Sequence, residues 1–454
     1  MNINLSMDFL RPVAGALKKY TALLPSVIIT IVAVLLFLPT MLLGKKISEK
    51  MEQSARTASS VQSLVRDVPS REESEQLKSR MDKFEAEVDR IKESAIESSR
   101  RDLIIYDYVI FPIPADPSSQ IFNEFGQKYR GSIESLVQRI NALDAPSDSE
   151  IQAVTGVANR TNPGMRGMRP MMRQSRDVQD PMVDALCVKR AQEVSVYANL
   201  SAFQWYDFWG EDKYKFSGQP QALQDCWDSQ VAFWIYDDII DTIYKINGTS
   251  SKVLTAPVKR LLGVSFTGPV VVEGEQRTGQ FGGRLVAAGR DIPNYITETK
   301  ISNFMDSSPT GRISNENIDV IHFGVSVIVD NRFILPFMKE LCSEKPHVFY
   351  PSVFEDPHVQ AGEPVEARHN QISILKSDLK VVDKVAPEHE LYRYGKGAVM
   401  RLDLVCEYLF DRAAYDKIKP DPIKERLGQA IEETEESQQP GQVPGGVPGR
   451  PTMM

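Results

Sequence analysis

The stretch from Thr21 to Gly44 reads TALLPSVIITIVAVLLFLPTMLLG and contains no charged side chain, whereas the chain after it is polar and charged. A helix of this length would extend about 36 Å, which exceeds the roughly 30 Å of a hydrocarbon core. A cleaved signal peptide has a shorter apolar run and a small-residue cleavage motif, and a buried core helix rarely needs so long an uncharged run. The stretch therefore predicts one transmembrane helix over 21–44.

The flanks of this run bear on its orientation. Basic residues lie on both sides, with Lys18 and Lys19 before the run and Lys45 and Lys46 after it. Their count does not favour a cytoplasmic N-terminus. A short tail before one span, followed by about 410 residues, is nevertheless the layout of a signal anchor. We therefore expect a cytoplasmic tail over 1–20, a location in the inner membrane as a single-pass protein, and the bulk of the chain in the periplasm.

Two runs after the apolar stretch have the periodicity of a coiled coil, and Pro69 separates them. Apolar or small residues recur at alternating steps of four and three, which is the spacing of the a and d positions. An amphipathic helix that packs on its own domain is the alternative interpretation. We expect a coiled-coil stalk over 45–100 that pairs with a second helix. The predicted interface consists of Ile47, Met51, Ala58, Val61, Val65, Leu77, Met81, Phe84, Val88 and Ile91.

The region 101–250 is predicted to be a mostly helical middle domain. Apolar residues share a helical face from Ile121 onward, and a longer helix is expected over 221–246. We expect a mobile loop over 145–181, where glycine, proline and polar residues are common. An aromatic cluster in this region is either part of the core or a candidate ligand pocket. The pocket would be lined by Trp205, Trp227 and Trp234.

The region 251–427 is predicted to be a ferredoxin-like domain. Residues 318–330 and 399–410 alternate apolar and polar side chains, as strands with one buried face do. A short helix over 333–342 and a strand over 347–354 lie between them, followed by a polar insertion. The order strand–helix–strand–strand is half of a ferredoxin-like unit. A strand over 262–266 would complete the sheet.

The composition limits the partners and the chemistry. The net charge is −8 and the isoelectric point is about 5.4, which argues against a nucleic-acid partner. The sequence Asp237-Asp238-Ile239-Ile240-Asp241 has the form of a Mg²⁺-diphosphate motif, but no second cluster accompanies it. We interpret it as the solvated side of a helix. The five histidines lack the spacing of metal ligands, so we predict no metal, no cofactor and no catalytic residue.

The four cysteines allow two interpretations. Four cysteines are compatible with two disulfides, Cys187–Cys226 and Cys342–Cys406, or with four buried free thiols.

From 428 the chain is acidic and then rich in glycine and proline. Such a segment has too few apolar side chains to fold, so we predict that 428–454 is disordered.

Taken in order, the span 21–44, the two heptad runs and the strand–helix–strand–strand of 318–410 resemble the PilO- and GspM-type bitopic assembly proteins. The resemblance is architectural and covers about half of the chain. It implies an α+β protein with a transmembrane helix, a coiled-coil stalk, a helical middle region and a C-terminal ferredoxin-like α/β sandwich. It also implies a membrane-anchored, non-enzymatic scaffold of a type IV pilus or type II secretion machine. Its partners would be the membrane, itself or a paralogous bitopic protein, and other envelope assembly proteins.

The alternative function is a periplasmic ligand-binding or sensor module on a single membrane anchor, with the tryptophan cluster as its pocket. A membrane-tethered enzyme that uses Asp237 and Asp241 is a third hypothesis.

Overall fold

A computed structural model describes most of the chain as two compact units, Met1–Arg90 and Ile91–Met454. The predicted tail 1–20, most of the predicted loop 145–181 and nearly all of the predicted disordered segment 428–454 lie outside the described residues. The described residues are 24–67, 71–107, 109–155, 181–270, 292–298, 302–356 and 361–429.

Two long helices open the described chain. Helix α1 occupies Leu24–Asp67 and α2 occupies Arg71–Ser99, on either side of the interruption expected at Pro69. Glu72 and Glu73 lie in the first turn of α2, where a negative charge is stabilised by the exposed backbone N–H groups. Both heptad runs therefore fall on helices, as their periodicity predicts.

The predicted membrane span is corrected by the structure. Within the residues described here, no helix combines the length and the apolar character needed to cross a membrane. This finding contradicts the transmembrane helix over 21–44 and the single-pass inner-membrane location that depended on it. Thr21 to Leu23 precede the described residues, and the rest of the run belongs to α1, which continues unbroken through the charged residues after Gly44. The apolar run is thus one part of a longer element with a polar second half.

The second unit is built on a seven-stranded mixed sheet with the order β1-β2-β3-β5-β9-β8, and β4 pairs with β5 beside this path. β1, β2 and β3 are parallel, whereas β3, β5, β9 and β8 are antiparallel. β6 and β7 form a separate two-stranded sheet. The strands are β1 Ala142–Leu143, β2 Val196–Ala198, β3 Val258–Ser265, β4 Asn294–Tyr295, β5 Ile318–Asp330, β6 Lys345–Phe349, β7 Val365–His369, β8 Ile372–Val381 and β9 Val399–Asp411.

A long helix, α7, organises the packing on this sheet. It contacts α3, α8, α11 and β3, and most of its residues are buried. It ends at Gly248, whose φ of 55° lies in the left-handed region and whose N–H donates to the Tyr244 carbonyl. The helices of this unit after α2 are α3 Ser119–Arg139, α4 Asp148–Thr155, α5 Pro181–Glu193, α6 Gln204–Phe208, α7 Gln219–Asn247, α8 Ile334–Leu341, α9 Pro351–Glu355, α10 Arg412–Tyr415 and α11 Asp421–Arg426.

One large hydrophobic core extends through the second unit. Its members run from Leu103 to Ile423, so it draws on both the predicted middle domain and the predicted C-terminal domain. Every residue of β5 after Ile318 is buried, because the strand is central and is covered on both faces. Val327 lies in the large core, whereas Ile328 joins a smaller cluster with Tyr197 and Tyr394.

The ferredoxin-like prediction is wrong, although its strands at 318–330 and 399–410 and the helix between them are confirmed. The expected unit requires the strand after that helix to join the main sheet, but β6 pairs only with β7. The neighbours of β5 on the main path are β3 and β9. The edge strand β8 comes from the segment interpreted as a polar insertion. The α+β class with a ferredoxin-like sandwich is therefore replaced by a mixed sheet with parallel and antiparallel halves.

The four cysteines are free thiols. Cys187, Cys226 and Cys406 are buried, and Cys342 is half-buried. The second of the two interpretations of the cysteines, separate thiols within the fold, is therefore the one that the structure supports.

Candidate functional site

Helix α2 presents a stripe of large apolar side chains to solvent. The five residues of this stripe are each between 57% and 72% exposed. Burying a side chain of this size contributes about 1.5–3 kcal/mol, so their exposure forgoes a large favourable free energy. A narrow stripe at a and d spacing matches the face that another helix covers in a coiled coil. The α2 stripe consists of Leu77, Met81, Phe84, Val88 and Ile91.

Charged side chains border the α2 stripe on both sides. Lys78, Glu85 and Lys92 follow its members directly, and Arg80 and Glu87 precede them. Within the helix, Arg90 donates to Glu87 over 2.9 Å, an exposed pair that stabilises the helix only slightly. An apolar line between two charged lines is the pattern of a coiled-coil seam with its e and g positions.

Helix α1 carries a weaker version of this pattern. Ile47, Met51 and Val61 are exposed, and so is the small side chain of Ala58. The description does not extend to the side chain of Val65. Ser54 and Ala58 occupy seam positions, so less apolar area is available for burial than on α2. Of the two helices, α2 is therefore the better candidate for an interface.

The three predicted pocket tryptophans lie in the core. Trp205, Trp227 and Trp234 are each only 1–2% exposed. The indole N–H of Trp227 donates to the Tyr295 hydroxyl over 3.3 Å, and that of Trp234 donates to the Asp102 carbonyl. Trp227 and Trp234 pack edge to face, with ring centroids 6.1 Å apart. Trp205 packs instead edge to face on Phe208, with ring centroids 4.9 Å apart. All three rings are packing elements of the core, which is the first of the two interpretations of the cluster.

A buried ionic cluster lies between α7 and the sheet. Arg101, which is 2% exposed, donates to Asp238 over 2.7 Å and to Asp237 over 3.0 Å. Tyr408 on β9 donates to Asp238 over 3.0 Å and also hydrogen-bonds to Gln371. The sequence motif was interpreted as the solvated side of a helix. For Asp238 this interpretation is wrong, because its side chain is buried. Side chains of the protein bind both carboxylates. The cluster therefore holds α7, β9 and the segment before α3 together in the folded protein.

Two histidines of the β6–β7 sheet lie close to Arg101. His347 and His369 contact each other edge to face, with ring centroids 4.3 Å apart. Burial, and then the positive charge of Arg101, lowers the pKa of His369 to about 3. The same two causes lower the pKa of His347. The ring of His369 is therefore neutral in the folded protein at neutral and mildly acidic pH.

We expect the wild-type protein to lose stability between pH 7 and pH 5 faster than a His369→Gln variant. Above an ordinary pKa of about 6.5, the ring is neutral in both states and contributes no pH dependence. Between that value and its folded value of about 3, only the unfolded chain binds the proton, so the free energy of unfolding falls with pH. Urea unfolding should show an extra loss of about 1–2 kcal/mol at pH 5 in the wild type. Parallel pH profiles for the two proteins would contradict the assignment.

A second buried cluster joins β5 and β9. His322 and Glu407 are cross-strand neighbours, and both side chains are fully buried. Glu407 accepts from Arg312 and from Thr310, each over 2.8 Å. Burial alone would raise the pKa of Glu407, but the adjacent His322 ring and the hydrogen bonds from Arg312 and Thr310 hold that pKa below the ordinary value. The carboxylate thus anchors the loop that contains Thr310 and Arg312.

The ring of His322 also lies 2.8 Å, through Nδ1, from the hydroxyl of Ser302. A serine, a histidine and an acid in contact raise the question of a hydrolytic triad. In such a triad the acid orients the histidine, whereas Glu407 lies 3.7 Å from Nε2 and is held by Arg312 and Thr310. The arrangement is suited to packing a loop onto the sheet rather than to activating the hydroxyl.

Sequence reasoning missed both buried clusters. Arg101 and Asp238 are 137 residues apart, and Thr310 and Glu407 are 97 apart, so no local pattern joins them. A faint signal existed in β9, where Glu407 interrupts the otherwise apolar run from Leu404 to Phe410. A charge at such a position requires a partner.

In the part of the chain that the structure describes, no group of three or more histidine, cysteine or acidic side chains has the geometry of a metal site. The α2 stripe is therefore the feature whose chemistry points beyond the molecule itself. No protein-family model, no curated protein and no solved structure matches this chain.

Proposed function

We propose that this protein is a self-associating scaffold, in which α2, assisted by α1, pairs with the same helices of a second copy. Each dimer would then hold two copies of the α/β unit. The observation that supports this proposal is the exposure of the α2 stripe. The large core of the second unit, by contrast, buries side chains of the same kinds almost completely.

The length of the seam sets the strength of the pairing. From Leu77 to Ile91 the seam extends about 22 Å along the helix, which corresponds to two heptads. Two heptads offer only five apolar layers for burial, so little apolar area is available to stabilise the pair. We therefore expect a dimer of modest affinity that responds strongly to a single polar substitution.

The other two functional hypotheses lack their supporting features. A ligand-binding module required an accessible tryptophan pocket, but the three rings are buried. An enzyme that uses Asp237 and Asp241 required free carboxylates. Asp237 pairs with Arg101 and Arg139, and Asp241 pairs with Lys245 over 2.8 Å.

Placing charges in the seam should abolish the dimer. In the double variant Leu77→Glu, Phe84→Glu, two carboxylates per chain would have to be buried without partners, so we expect the dissociation constant to rise at least about 100-fold. Sedimentation equilibrium of the full-length chain measures this change. Circular dichroism checks that the helices persist.

The matched control places the same charges on the outer face of the same helix. Ser79 and Ala86 are exposed and lie at positions opposite the seam. The double variant Ser79→Glu, Ala86→Glu should therefore dimerise like the wild type. A wild-type chain that stays monomeric at about 100 µM, or equal effects of the two double variants, would contradict the proposal.

A further inference from the structure

The heptad positions of α2 follow from its stripe. Steps of four lead from d to a and steps of three lead from a to d, so Leu77, Phe84 and Ile91 occupy d, and Met81 and Val88 occupy a. The flanking e and g positions then carry a complete set of charges. The e residues are Lys78, Glu85 and Lys92, and the g residues are Glu73, Arg80 and Glu87.

In a parallel, in-register dimer, each g residue faces the e residue five positions later on the other helix. Arg80 would face Glu85 of the second copy, and Glu87 would face Lys92 of the second copy. Glu73 would likewise face Lys78 of the second copy. All three pairs are of opposite charge, and the twofold symmetry of the dimer doubles them.

In an antiparallel dimer with the same apolar layers, e faces e and g faces g. With Met81 packed against Phe84 of the other helix, Glu85 faces Glu85 and Arg80 faces Arg80. Lys78 then faces Lys92, and Glu73 faces Glu87. Every pair in this register is of like charge. A register shifted by one heptad, with Met81 packed against Ile91 of the other helix, pairs Glu85 with Lys92 and Arg80 with Glu87, but it leaves Glu73 and Lys78 opposite serines. The parallel dimer therefore forms six pairs of opposite charge, against four in the shifted antiparallel dimer and none in the first, so the charges favour the parallel arrangement.

The pattern is confined to α2. With Ile47 at d and Met51 at a, the e positions of α1 are Ser48, Ala55 and Gln62. These residues carry no charge and so encode no orientation. The charges of α2 therefore set the register of the dimer, and the uncharged e positions of α1 do not contribute to it.

We infer that α2 pairs with α2 of a second copy as a parallel, in-register two-stranded coiled coil whose orientation is selected by the e and g charges. This inference rests on the proposed self-association and adds its geometry. Exposed ion pairs contribute little to affinity, so the charges select the orientation and the apolar seam supplies the free energy. In the single chain Glu87 pairs with Arg90, and it would exchange this exposed partner for Lys92 of the second copy.

A charge-reversal cycle tests the pairing. Arg80→Glu places like charges opposite each other at two symmetric sites of a parallel dimer, and we expect about a tenfold weaker dimer. Adding Glu85→Arg in the same chain restores opposite charges and should return the dissociation constant to near the wild-type value. In the first antiparallel register the same substitutions exchange one like-charged pair for another, so neither variant would change the affinity. In the shifted antiparallel register each substitution creates a new like-charged pair, so the second would weaken the dimer further. A dimer whose affinity Glu85→Arg does not restore therefore overturns the parallel arrangement.

Disulfide trapping tests directly whether the two α2 helices are parallel. Ser74 occupies an a position near the start of the helix, so Ser74→Cys should form a covalent dimer under mild oxidation only if the helices are parallel. Ser79→Cys on the outer face and the wild-type chain, with its own four thiols, are the controls.

The outcomes of this trapping separate the two claims. If Ser74→Cys alone fails to cross-link but a mixture of Ser74→Cys and Ile91→Cys does so, the helices are antiparallel. The scaffold proposal then stands while the inference fails. If sedimentation shows a monomer, the proposed function and the inference fail together.

Discussion

Replacing Arg101 by methionine is expected to lower the free energy of unfolding by about 3–5 kcal/mol. The guanidinium is buried and donates to Asp238, Asp237 and Tyr408. Methionine fills much of the same volume but leaves the Asp238 carboxylate, itself almost fully buried, without its positive partner. An uncompensated buried charge costs several kcal/mol, far more than an exposed one.

Urea denaturation of the purified chain measures this loss. The matched control is Arg56→Met, because Arg56 forms an exposed ion pair with Glu52 over 2.8 Å and should hardly affect stability. The double variant Arg101→Met, Asp238→Asn removes both charges of the closest pair. It should be less destabilised than the sum of its two single variants, since each single change strands the other group. A loss below about 1 kcal/mol for Arg101→Met would show that the cluster does not stabilise the fold.

The sequence predicted the elements whose pattern is local and strong. β5 and β9 were visible because a long alternation of apolar and polar residues is typical of a strand and does not fit the period of a helix. The helix ending at Asn247 was visible because a glycine with a left-handed backbone follows it. The coiled-coil stripe was visible because apolar residues repeat at every seam position from Leu77 to Ile91 of α2.

The sheet order could not be read in the same way. Which strands become neighbours depends on contacts between distant segments, and β1 and β2 contribute only two and three residues to the sheet. β8 was hidden because it is an edge strand with mostly exposed or half-buried residues, so its sequence shows little apolar alternation. Without β8 and with β6 assigned to the main sheet, the remaining pattern imitates a ferredoxin-like half-unit.

The buried charges were hidden for a related reason. A pair of aspartates on a helix usually faces water, and only the tertiary position of Arg101 makes Asp238 a core residue. For the tryptophans the local composition was consistent with a pocket as well as with a core. The distinction lies in the depth of the rings, which no local pattern records.

Replacing Trp234 by alanine is therefore a decisive test of that distinction, and we expect it to destabilise the protein by about 3–5 kcal/mol. The ring packs against Tyr415 and Phe410, with centroids 5.1 and 5.9 Å away, and its N–H satisfies the Asp102 carbonyl. Truncation leaves a large cavity and removes the shorter of the two hydrogen bonds to that carbonyl, to which Gln230 also donates over 3.4 Å, and both effects lower the stability of the folded state.

The control for Trp234→Ala lies on the same helix. Tyr244 on α7 is 52% exposed, so Tyr244→Ala removes an aromatic ring of similar size without opening a cavity and should cost little. Trp234→Phe should fall between the two, because it keeps most of the packing but loses the donor to Asp102. If the ring instead lined a ligand pocket, Trp234→Ala would leave the urea midpoint close to that of Tyr244→Ala. Equal midpoints for these two variants would thus reject the core assignment and restore the pocket.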